Sequence, residues 1–105
     1  MLIQINTDKN IEATEATIAH FSQLIKDELA RYEEYITRVD AHLSDENGSK
    51  SKGDDQKCVL EAKIKGGNPI VVTVVEATLH QSVKYAAEKV AAQIEKTLEK
   101  RRVQS

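Results

Sequence analysis

The sequence predicts an α+β fold of order β-α-β-β-β-α, a four-stranded mixed sheet with two helices packed on one face. Three observations lead there. Two segments, about 14–34 and from Thr78 onward, repeat apolar residues at intervals of three and four, the mark of a helix with one buried stripe. Four other segments alternate apolar with polar residues, or are apolar throughout, over strand-like lengths. A helix separates the first two strands, so that connection is a crossover and the first strand must pair in parallel with a later one. One stripe per helix needs one sheet face to cover it, which leaves the other face, mixed polar, to meet water or a ligand.

Residues 2–6 form the first strand, with Ile3 and Ile5 inward, and Thr7-Asp8-Lys9-Asn10 is a turn. Thr14, followed by Thr17, marks a helix start, and Glu12 and Glu15 place negative charge where a helix N-terminus favours it. Ile18, Phe21, Leu24, Ile25, Leu29 and Tyr32 supply the buried stripe. The second strand, about 36–44, turns Val39, Ala41 and Leu43 one way and Arg38, Asp40 and His42 the other. Residues 45–56 are polar throughout and predict a mobile hairpin loop.

The third strand, about 57–65, puts Cys58, Leu60, Ala62 and Ile64 on one face. Gly66-Gly67-Asn68-Pro69 is a tight turn in which glycine can take positive φ. The fourth strand, 70–75, is apolar on both faces, which predicts a central strand or one covered on both sides. The last helix buries Leu79, Val83, Ala86, Ala87, Val90, Ala91, Ile94 and Leu98.

Composition narrows the function classes. The 105 residues predict one domain spanning 1–105, with an aliphatic core, since there is no Trp and one Phe. No apolar run approaches the roughly 20 residues of a membrane span. The N-terminus lacks the basic start and apolar centre of a signal peptide. A single Cys makes no internal disulfide, and together these features predict a cytoplasmic protein. The net charge of −2 hides an asymmetry: residues 1–56 carry 6 basic and 12 acidic side chains, residues 57–105 carry 9 basic and 5 acidic. The basic half can be steered toward a polyanion.

The last helix carries the most suggestive pattern. At roughly 100° per residue, with Val90 at zero, Lys89, Gln93, Lys96 and Lys100 fall on one flank, roughly 60–120° round. Tyr85 shares that flank, placed to stack on a base or to cap the core edge. Glu88, Glu95, Glu99 and Lys84 fall near the back, and Arg101-Arg102 extends the stripe past the last turn. A row of flexible cations suits phosphates along RNA. Cations at a helix C-terminus also complement its dipole, and alternating charge makes a solvated face, so both readings stand. On the sheet, Arg38, His42, Lys57 and Lys63 interleave with Asp40 and Glu61 as cross-strand ion pairs or as an RNA contact.

Catalytic and metal chemistry find no support. His42 and Cys58 lie on neighbouring strands but face opposite ways, and His20 and His80 have no ligand partner close in sequence. No Cys-x-x-Cys, His-x-x-x-His or phosphate loop occurs. The expectation is no enzyme, no metal and no cofactor.

Three stretches carry a family resemblance. They are Ile36-Thr37-Arg38-Val39-Asp40-Ala41-His42-Leu43-Ser44-Asp45-Glu46, Cys58-Val59-Leu60-Glu61-Ala62-Lys63-Ile64, and Ser82 to Ile94 with its acidic-Lys-apolar and Gln-apolar steps. In this order, over roughly 2–102, the chain resembles the ribosome hibernation-promoting and translation-inhibiting factors, also described as sigma-54 modulation proteins, in their short form. The resemblance implies a fold similar to the double-stranded RNA-binding domain. It implies a regulator that binds the small ribosomal subunit and its ribosomal RNA and blocks translation during stress or stationary phase. Membranes and small-molecule substrates are not expected, and a weak homodimer stays open. Carried over by position, Lys89 and Arg38 match best, with Lys96 and Lys100 in the basic tail of the helix. Lys84 stands where the family has an acid, and the first helix is acidic. A second reading therefore keeps the fold as a protein-interaction module with weak or no RNA binding.

Overall fold

The computed structural model describes residues 1–46 and 55–104, and of 102–104 the backbone alone. Most of the polar loop expected at 45–56 lies outside the described residues. The elements are β1 (Leu2–Thr7), α1 (Glu15–Leu29), a 3₁₀ segment (Ala30–Tyr35), β2 (Ile36–Asp45), β3 (Gln56–Ile64), β4 (Ile70–Glu76) and α2 (Leu79–Gln104). Both helix starts are capped by threonine. Thr14 Oγ1 accepts from the Thr17 N–H at 3.1 Å and Thr78 Oγ1 from the Gln81 N–H at 3.1 Å, each satisfying a donor that the helix leaves open.

The first helix ends sooner than its stripe predicts. α1 stops at Leu29, and 3₁₀ geometry takes over to Tyr35. A 3₁₀ turn eclipses positions three apart, so Tyr32 is buried and Tyr35, half-buried, packs against the same core. The segment then passes directly into β2.

The sheet order is β1-β2-β3-β4, with β1 parallel to β2 and the other two pairs antiparallel. Register stacks Ile5, Ala41, Leu60 and Val72 in one row across the inner face. Both helices cover that face: α1 packs on β1, α2 on β3 and β4, and the helices touch each other. Ile25, Leu29, Val83, Val90 and Ile94 fill the space between layers with almost no exposed surface. Burial of such aliphatic side chains is the main favourable term in this fold.

The fourth strand departs from expectation. β4 is an edge strand, and its outward side chains Val71, Thr73 and Val75 are exposed rather than covered. An apolar run signals a strand free of charge on either face, which a central position satisfies but does not require. Gly66 takes φ +68° in the β3–β4 turn, the conformation glycine adopts without a Cβ clash.

Candidate nucleic-acid interface

α2 is placed by its two ends. It begins two residues after β4, and near its far end Arg101 Nη2 donates to the carbonyls of Lys65 and Gly66 at 3.4 Å each, in the β3–β4 turn. The helix rises roughly 33 Å from Leu79 to Arg101, and the chain from Gly66 to Glu76 spans a similar length when extended. α2 therefore runs antiparallel to β4 and alongside it.

Two contacts fix which side of α2 faces α1. The Tyr32 hydroxyl donates to Glu95 Oε2 at 2.6 Å, and His20 Nε2 lies 3.2 Å from His80 Nδ1 in a stacked pair. That hydrogen bond holds the Tyr32 phenol above its ordinary value, since the neutral hydroxyl is the form that donates. Lys89, Lys96 and Lys100 lie roughly 160–180° around the helix from His80. They are exposed, on the flank away from α1 and above the β4 edge. Their ammonium groups have no ion-pair partner among the described residues. Tyr85, 39% exposed, shares the flank. Glu95 stands on the other flank of the helix, where it accepts from Tyr32 of the 3₁₀ segment. The arrangement is a line of free cations with a one-turn to two-turn spacing, suited to a polyanion backbone.

A model of the sigma 54 modulation protein / S30EA ribosomal protein family matches residues 3–102. The chain belongs to that family. Among solved structures it is similar to the N-terminal domain of Protein Y from Thermus thermophilus, with a TM-score of 0.68 and 19% identity over 92% of this chain and 99% of that one. It is similar also to a ribosomal subunit interface protein from Coxiella burnetii, with a TM-score of 0.69 and 16% identity over 94% of this chain and 99% of that one. At those identities the likeness is one of fold. No match was found among curated proteins.

Of the two residues that best match the family's pattern, the structure puts only Lys89 on the lysine flank. Arg38 lies on the opposite, outer face of the sheet. Its guanidinium pairs with Asp40 at 2.9 Å and donates to Gln4 Oε1. The Asp40 hydrogen bond raises the Arg38 pKa, and the same bond holds the Asp40 carboxyl below the ordinary carboxylate range. Arg38 is thus committed to keeping a buried carboxylate charged. The ion pairs of this face run along β2 (Arg38–Asp40) and from β3 to the end of the β2 hairpin arm (Lys57–Glu46 at 3.2 Å), rather than between facing strand residues as expected. A depression of about 270 Å³ beside Asn6, His42, Ser44 and Lys57 also belongs to this outer face, a sheet's thickness from the lysines.

Arg101 is exposed but does not extend the stripe: it reaches back to the turn carbonyls, a hydrogen-bonded latch between α2 and the sheet. Eleven residues beyond Val90, it falls roughly 20° from the buried seam, a signal that wheel arithmetic carries. The Arg102 side chain lies outside the described residues. The His20–His80 pair joins residues sixty apart on different helices, and no local spacing announces it. Cys58 is fully buried on the inner face, where burial pushes its thiol up to about 12, while His42 is exposed on the outer one. Among the described residues no three His, Cys, Asp or Glu gather to hold a metal, and no helix is long and apolar enough to cross a membrane.

Proposed function

We propose that this chain is a cytoplasmic, non-enzymatic ribosome-associated regulator. It binds the small ribosomal subunit through ribosomal RNA and blocks translation during stress or stationary phase. The observation that carries the reading is the unpaired lysine row of α2 on a chain of this family. Lys89, Lys96 and Lys100 contact phosphates, and a rigid domain then occupies a path that translation needs. Arg102 follows the row in sequence but stands twelve residues beyond Val90, roughly 120° round on the opposite flank of α2, while Arg101 latches the helix to the β3–β4 turn and Arg38 pairs with Asp40 on the outer face. Sucrose-gradient co-sedimentation with ribosomes, at low and moderate salt, tests this. Migration with the small subunit or intact ribosome, lost as salt rises, is expected; absence from every ribosomal fraction at low salt refutes it.

A second reading draws on the other helix. Glu12, Glu15, Asp27, Glu33 and Glu34 are exposed on and around α1 and its 3₁₀ extension. A protein-interaction module would present these acids to a basic partner and show little affinity for bare RNA at any salt.

A further inference from the structure

The β4 edge is open, and its backbone can be read from the hydrogen bonds of the neighbouring strands. The Glu46 N–H donates to the Asp55 carbonyl at 2.9 Å, so the even-numbered residues of β2 face β3. Consistently, the Leu43 carbonyl, odd-numbered, faces the other way and accepts from Asp8 at 3.1 Å. Lateral direction alternates along a strand, so Cys58, Leu60 and Ala62 of β3 turn their peptide groups to β4. Their register partners are Val74, Val72 and Ile70. Val71, Thr73 and Val75 therefore point N–H and C=O away from the sheet, and no strand among the described residues meets them. The same residues project side chains onto the outer face, where Val71 is 55% and Val75 40% exposed. Tyr85, Lys89 and Lys96 overhang the inner side of this edge from α2.

We propose that the β4 edge docks an extended acidic segment of a partner protein, added as a fifth strand. Strand addition satisfies the unpaired groups of Val71, Thr73 and Val75. Side chains of an added strand alternate between faces. Those on the helix side meet Lys89 and Lys96 and are acidic; those on the outer side continue Val71 and Val75 and are apolar. The segment is thus an alternation of acidic and apolar residues, about seven long to match β4. A second copy of this chain does not fit the same edge. Two β4 strands paired about a two-fold axis keep both α2 helices on one side of the joined sheet. The two lysine rows then face each other, and like charges across a seam oppose it. The segment shares Lys89 and Lys96 with the proposed RNA contact, so the two ligands compete for that flank; protection of the Val71, Thr73 and Val75 amides, which RNA contact does not need, distinguishes strand addition from it.

The test uses the full chain and two labelled eight-residue peptides, one alternating Glu with Val and one alternating Lys with Val. Fluorescence anisotropy is expected to show the Glu peptide binding at least about tenfold tighter, the worth of two surface ion pairs gained against two repulsions. Lys89→Glu/Lys96→Glu should reverse the preference. Hydrogen exchange should slow at the Val71, Thr73 and Val75 amides on binding, with Val72 and Val74 unchanged. Equal affinity for both peptides, binding without protection at those three amides, or a β4-linked dimer by analytical ultracentrifugation would overturn the proposal.

Discussion

Replacing Lys89 and Lys96 by glutamine measures how many phosphates the α2 flank neutralises. Each phosphate neutralised on a duplex contributes about −0.9 to the slope of log K against log salt. Three exposed, unpaired lysines give a slope of about −2.7, so affinity falls about 40-fold between 50 and 200 mM salt. With Lys100 alone the slope shrinks to about −0.9 and the loss to about threefold. Anisotropy of a labelled ribosomal RNA duplex, titrated at four salt concentrations, reads both slopes. Arg101→Gln serves as the control. Its guanidinium already bonds the Lys65 and Gly66 carbonyls, so the slope should stay near that of the parent chain. An unchanged slope in Lys89→Gln/Lys96→Gln would refute the assignment of the site to this flank. A slope that instead falls in Arg101→Gln would show that the latch opens to bind RNA.

Further predictions concern the frame that holds the flank. Gly66→Ala should lower stability by about 1 kcal/mol in urea unfolding, because the site is open around a new Cβ and the cost is the positive φ alone. Gly67→Ala should cost less, since its Cβ meets the movable tip of Arg101 at 3.0 Å and Ile64 at an ordinary contact distance of 3.9 Å. Cys58 should resist an aromatic disulfide reagent at pH 8, reacting only at the rate of unfolding, because burial holds the thiol at about 12 and out of reach. Asp40→Asn should cost about 1 kcal/mol or less at pH 7. The native pKa of Asp40 is depressed, so its contribution is fully present above the ordinary carboxylate value of about 4 and disappears as pH falls through the native value. Urea midpoints of parent and Asp40→Asn should converge below that range.

Periodicity alone located the strands and helices, because one buried face imposes a period on every element. The inner rows through Val39, Leu60 and Val72 follow directly from strand alternation. Threonine caps at 14 and 78 were legible for a local reason, the reach of one side chain over one turn. What failed were features set by neighbours. Tyr32 fits an α-helical stripe and a 3₁₀ one equally well, and the need to enter β2 at Ile36 selects the second. The edge position of β4 depends on strand order, which no single strand encodes. Arg38 matched a family position yet spends its charge on Asp40, a partner two residues away whose burial appears only once the sheet is assembled. The lysine row, by contrast, was legible because a helix maps sequence spacing onto direction.

A net charge of −2 is a poor guide to what this surface binds. α1 and α2 lie side by side, about 8–10 Å between axes, and the lysines stand on the far flank of α2. The acids of α1 are therefore separated from a ligand on that flank by more than the Debye length of about 8 Å at physiological ionic strength. At that range their field is largely screened, and the ligand meets Lys89, Lys96 and Lys100 as local cations. Charge separated by fold is not charge averaged by composition. The Tyr32–Glu95 and His20–His80 contacts, which fix the rotation of α2 against α1, thus determine the sign that the β4 side of the molecule presents.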